Sequence, residues 1–93
     1  MTKEMIVQAL EAEGIKATGG VHVVGEERDA TCYVSTPGDL LNVARVVRID
    51  LRGPYLGLKT AKDELYFFAY EAILGFRLAG GPSGKERAAG FAR

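Results

Sequence analysis

Ninety-three residues, 47% hydrophobic and 26% charged, describe one small globular domain whose thin core needs nearly every apolar residue to find cover. Twelve basic residues balance twelve acidic ones, which argues against a free-standing, non-specific nucleic-acid binder, since that needs surplus Lys and Arg to displace counterions from phosphates. Cys32 is the single cysteine, so an internal disulfide is excluded, and with no leader-like or membrane-length apolar run the expectation is a soluble, cytoplasmic domain in a reducing compartment.

The first element is a short helix over residues 3–13. Thr2 is placed to cap it and Glu4 sits in its first turn, where the helix dipole favours an acid. Met5, Ile6, Ala9 and Leu10 fall at helical spacing and form one apolar face. Gly14 suits a left-handed stop, with Ile15 beyond it positioned to touch Leu10. Such a helix is expected to lie as a lid on the open end of a barrel rather than on a membrane or a partner, because its polar face is acidic.

Residues 15–18 and 21–24 suggest two short strands around Gly19-Gly20, and residues 25–29 a charged turn. Over 30–36, Ala30, Cys32 and Val34 share one face of a strand, which makes Cys32 a small buried hydrophobe rather than a reactive thiol. Thr36-Pro37-Gly38-Asp39 fits a type II turn. The longest strand candidate, 40–52, alternates cleanly only at its end, where Val47, Ile49 and Leu51 interleave with Arg48, Asp50 and Arg52. A bulge near residues 45–47 restores the parity and bends the strand, and Gly53-Pro54 ends it.

Three short strands follow, at 55–61, 64–70 and 73–78. Leu56 and Leu58 point inward from the first. A two-residue link, Lys62-Asp63, then places Leu65, Phe67 and Ala69 on the core face of the second and Tyr66, Phe68 and Tyr70 on the other. Glu71-Ala72 makes a tight corner into the third. The glycine-broken remainder, 80–93, reads as a flexible tail with weak helical character over 85–89, leaving residues 1–79 as a single helix-plus-barrel domain.

An N-terminal helix followed by strongly bent strands with a tight final corner resembles the Sm-like family, which includes the bacterial Hfq proteins. The resemblance rests on Gly38 before the bent strand, Asp50 near its end, and the run Phe68-Ala69-Tyr70-Glu71-Ala72-Ile73. It implies a mainly β fold: a helix plus a five-stranded antiparallel sheet curled into a small barrel, assembling by pairing the fourth strand of one protomer with the fifth of the next. The family's RNA contacts do not carry over. The loop after Asp50 is Arg52-Gly53-Pro54, with no asparagine, and the corner is Tyr70-Glu71 where the family has Arg-Gly or Lys-His. Other small barrels share this layout, although the pleckstrin-like kind needs a C-terminal helix that the tail disfavours.

No constellation for catalysis or metal binding stands out. His22 is the sole histidine, in the apolar run VHVV, and reads as a satisfied structural residue. The GGPSGK at 80–85 lacks the first glycine and the closing Ser or Thr of a phosphate loop. Glu26-Glu27 and Asp63-Glu64 are acid pairs in turns. The expectation is therefore a non-enzymatic protein with no cofactor or metal.

The function expected is a self-associating interaction or scaffold module. Its interface would be built on Leu65, Tyr66, Phe68, Tyr70, Leu74 and Phe76, with further copies of the chain, a ring being one arrangement open to it, and another protein as partners. The alternative is an Sm-like RNA-binding protein that uses Arg48, Arg52 and Lys59 for phosphates and Tyr55 for stacking, a less favoured role given the missing family residues. A monomer in which the helix and residues 15–29 cover the aromatics is the third arrangement open to this sequence.

Overall fold

The computed structural model describes residues 1–80 and contains one helix and eight strands in that span. Helix α1 (Lys3–Ala12) begins where Thr2 Oγ1 accepts the Met5 N–H at 3.1 Å. It closes as a Schellman ending: Gly14 has φ +81°, its N–H donates to Glu11 O, and the Ile15 N–H donates to Leu10 O. Its buried stripe is narrower than the sequence pattern suggests. Ile6 and Leu10 are buried and Val7 packs against the core, whereas Met5 and Ala9 are exposed. Burial of Ile6 and Leu10 contributes roughly 1.5–3 kcal/mol each. Both helix ends are tied to the sheets, by the Met1 amino group donating to Tyr70 O and Ile73 O and by Arg28 Nη1 donating to Glu13 O at 2.7 Å.

Strands β1 (Ala17–Thr18) and β2 (Val21–Val23) form a hairpin whose two link residues, Gly19 and Gly20, both have positive φ, as a type I′ turn requires. Strand β3 (Arg28–Thr36) buries Ala30, Cys32 and Val34 as their parity predicts, and Gly38 takes φ +80° in the turn to β4 (Asp39–Val43). The expected charged turn is shorter than 25–29, because β3 already starts at Arg28.

The long strand expected over 40–52 is interrupted rather than merely bulged. Its halves, β4 and β5 (Val46–Asp50), flank Arg45, a non-glycine residue at φ +56°. The Arg45 carbonyl accepts the Ala61 N–H at 2.9 Å, and the β5–β6 register shifts between Val46 and Arg48. The bend is sharp enough that the halves join different sheets. One has the order β4-β3-β8 and the other β1-β2-β5-β6-β7, where β6 is Leu56–Thr60, β7 is Leu65–Phe68 and β8 is Ile73–Gly80. The fold is thus mainly β, with a five-stranded antiparallel sheet, a second sheet of three strands and one helix; among the described residues no closed barrel is found. Residues 15–29 contribute to this difference, since the β1–β2 hairpin adds to β5 along the edge that β4 left by turning away.

The link from β6 to β7 differs from expectation by one residue, with large consequences. Thr60 N donates to Glu64 O, so the loop is Ala61-Lys62-Asp63, and Asp63 occupies the left-handed region at φ +65°. The resulting register pairs Leu58 with Tyr66 and Leu56 with Phe68. Directly opposite residues share a face, so Tyr66 and Phe68 turn inward with the two leucines, and Leu65 and Phe67 turn outward. A two-residue link would have done the reverse.

The corner between the sheets is a single 3-10 turn, Tyr70–Ala72, matching the tight turn expected there. The tail expected over 80–93, with its weak helix at 85–89, lies outside the described residues except for Gly80, which closes β8. The core between the sheets and beneath α1 is contributed by β3, β5, β6 and β8, with Ile49, Leu56, Leu58, Val34 and Ile73 all buried.

The register makes a stability prediction. Phe68→Ala should cost about 3 kcal/mol, the lower end for a packed phenylalanine, while Leu65→Ser should stay within about 0.5 kcal/mol. Urea melts of the two variants decide between the registers, and the opposite ranking would contradict the pairing of Leu58 with Tyr66.

Candidate functional site

The outward face of the five-stranded sheet forms a trough of about 580 Å³. Strand pairing arranges its side chains in two cross-strand rows. One runs Val23, Arg48, Lys59, Leu65, and the other Val21, Asp50, Gly57, Phe67. Each row is apolar at both ends and charged or open in the middle. Gly57 has a direct role: a Cβ there would stand 3.3 Å from both a Phe67 ring carbon and the Asp50 Cβ, so its absence lets the ring lie over β6.

The acids of the trough are already engaged. Asp50 accepts from Arg52 at three points: the backbone N–H at 2.9 Å, Nε at 3.0 Å and Nη2 at 2.8 Å. The Arg52 side-chain bonds are the main cause holding the Asp50 carboxyl down at about 2, followed by its backbone N–H; the field of Arg48 adds a smaller effect. Lys59 Nζ pairs with Asp63 Oδ1 at 2.9 Å, an exposed pair along the hairpin. The Arg48 side chain makes no hydrogen bond or ion pair among the described residues, and it stands directly opposite Lys59.

The structure brings together the residues the sequence marks for nucleic acid. Arg48, Arg52 and Lys59 line the trough. Tyr55, more than half exposed, stands at its end beside Arg52, Pro54 and Phe67. The six residues expected to form one interface are instead dispersed. Tyr66 and Phe68 are half-buried on the inner face, their rings stacked with centroids 6.0 Å apart. Tyr70 packs on the core and donates its hydroxyl to Gly53 O at 3.1 Å. Leu65 faces the trough at 65% exposure, Leu74 is exposed on β8, and Phe76 is half-buried beside the helix. The continuous aromatic face expected from Tyr66, Phe68 and Tyr70 is therefore directed inward, because the three-residue loop sets the register.

Val21 and Val23 are trough residues that the sequence reading did not mark, and Phe67 is one that it placed on the core face. A signal for the valines was present: they alternate with His22, so a buried His22 puts both outside. Phe67 required the loop length.

Cys32 and His22 offer no reactive group at the surface. Burial pushes the Cys32 thiol up to about 12, far from a thiolate at neutral pH. His22 is 1% exposed, and neither ring nitrogen has a hydrogen-bond partner among the described residues, so it is buried as expected but not satisfied. Among those residues no cluster of three or more His, Cys, Asp or Glu could hold a metal, and no helix is long and apolar enough to cross a membrane. No family model, known protein or solved structure matches the chain.

His22 makes stability depend on pH. Burial pulls its imidazole below the ordinary value, against an opposing pull from the Glu11 carboxylate. The unfolded chain therefore binds the proton first, so stability present above about pH 6.5 is lost as pH falls through that value toward the folded-state one, by up to about 1.4 kcal/mol per pH unit. His22→Leu should flatten this loss when urea midpoints are compared at about pH 7.5 and about pH 5.5. An unchanged pH slope in the variant would assign the acid sensitivity to another group.

Proposed function

We propose that this chain is a non-enzymatic, self-associating interaction module of the Sm-like kind, joining copies of itself through open strand edges and presenting a surface to a protein partner. The observation that carries this function is the outer edge of β8. That strand is eight residues long and among the described residues pairs with β3 on one side only, and Leu74 on it is 58% exposed. Strand β7, one edge of the other sheet, is likewise paired on one side only among the described residues. Unpaired edges carrying apolar side chains favour strand addition, and joining β7 of one copy to β8 of the next would satisfy both. Repeated head to tail, such a contact closes as a ring when the rotation permits. The Sm-like assignment draws support from the leading helix, the strand broken between two sheets at Arg45 and the 3-10 corner at Tyr70–Ala72. The buried positions of Cys32 and His22 agree with a role that needs no chemistry.

Light scattering after size exclusion tests self-association: the protein should exceed the monomer mass at micromolar concentration, and Leu74→Lys should shift it toward monomer without unfolding it. A clean monomer of the unmodified protein at tens of micromolar would remove this function.

RNA binding is the second function with an observation in its favour, the gathering of Arg48, Arg52, Lys59 and Tyr55 around one trough. It predicts salt-dependent binding of short single strands. Lack of binding to poly-uridine and poly-adenine at low salt would eliminate it.

A further inference from the structure

We infer that the trough on the five-stranded sheet is a docking site for an acidic segment of a partner protein, with a carboxylate seated on Arg48 and Lys59 and apolar side chains on either side of it. The two cations are directly opposed across β5 and β6. Like charges at opposed positions destabilise a sheet, and an incoming anion between them removes that cost. The acids nearby offset that cost only in part. Asp50, next along the strand face, is taken by Arg52 through two side-chain bonds and one backbone bond, and Asp63 reaches only Lys59. Arg48 is thus left with no acid of its own among the described residues.

The walls specify what flanks the carboxylate. Val21 and Val23 line one side, and Leu65 and Phe67 line the other at 65% and 68% exposure. Three strand spacings separate Val23 from Leu65, about 14 Å. That width takes one extended chain or one helix of ~10–12 Å diameter. Leucine- or phenylalanine-type residues on both sides of a glutamate or aspartate would therefore cover both walls while the acid meets the cations.

Charge also separates a peptide from a nucleic acid. A phosphodiester chain needs several cations along its path. Here Arg52 is committed to Asp50, and the adjoining hollow, which shares Arg48 and Lys59 with the trough, sets Glu26 and Asp29 against Arg28 and Arg45 and so adds no net positive charge. One open guanidinium beside one weakly paired ammonium answers a carboxylate better than a polyphosphate backbone. Docking on this sheet face goes beyond self-association and requires neither oligomer nor ring.

The test uses the full chain and a short fluorescein-labelled peptide of alternating leucine and glutamate, with a leucine–glutamine peptide as control. Fluorescence anisotropy should show saturable, salt-sensitive binding of the glutamate peptide, weakened about tenfold by Arg48→Ala and by Phe67→Ala. The glutamine peptide should bind about tenfold more weakly than the glutamate peptide. Amide chemical-shift changes in the unmodified protein should centre on Val23, Arg48, Lys59, Leu65 and Phe67, a readout that does not depend on any variant folding. Equal binding of the two peptides, shifts confined to β8, or no binding at all would overturn the assignment. So would tighter binding of oligo-uridine on the same residues, which would make the trough a nucleic-acid face. A change of oligomeric mass on Arg48→Ala would make a second copy the occupant and equally overturn it. A monomeric protein that binds the glutamate peptide would end self-association and leave this docking site standing.

Discussion

The break at Arg45 is the constraint on which the rest of the structure depends. A non-glycine residue in the left-handed region costs about 1–2 kcal/mol, and it persists only where surrounding bonds hold it. Here the Arg45 carbonyl receives the Ala61 N–H, and the β5–β6 register shifts just beyond it. The turn sends β4 to pair with β3 and β5 to pair with β6, so one continuous stretch of chain serves two sheets. With β4 turned away, the near side of β5 is open to β2, and the glycine hairpin before β3 occupies it. An otherwise curling sheet becomes two sheets over a shared core, capped by α1.

A second constraint acts locally and sets the surface. Asp63 in the left-handed conformation closes a three-residue loop, and that single residue of register decides which aromatic residues are covered. Tyr66 and Phe68 stack on each other opposite the inner leucines, while Phe67 lies across Gly57 in the trough. The same pairing aligns Arg48 with Lys59 and both with the apolar ends of their row. The charged centre and apolar walls of the trough are therefore consequences of hairpin geometry, not of any local motif.

The edges and the face present different chemistry. Among the described residues the open sides of β7 and β8 offer backbone groups flanked by apolar side chains, whereas the trough offers a defined charge between apolar walls. A module with both could assemble by one and recognise a partner by the other. Arg52 bonds the Asp50 carboxylate through Nε and Nη2, so the acid that shares a strand face with Arg48 is already engaged.

Local chemistry made much of the fold legible in the sequence. Thr2, Gly14 and Ile15 delimit α1, Gly19-Gly20 and Pro37-Gly38 fix two turns, and Ala30, Cys32 and Val34 declare the buried face of β3, because capping, positive φ and alternation act within a few residues. The candidate cations Arg48, Arg52 and Lys59 were visible for the same reason, as polar positions on alternating strands. The division into two sheets, the inward turn of Tyr66 and Phe68 and the pairing of Arg48 with Lys59 were decided only in three dimensions. Each depends on a backbone conformation at Arg45 or Asp63 that those residue types seldom adopt, and a one-residue change of register exchanges both faces of a strand at no cost to its alternation.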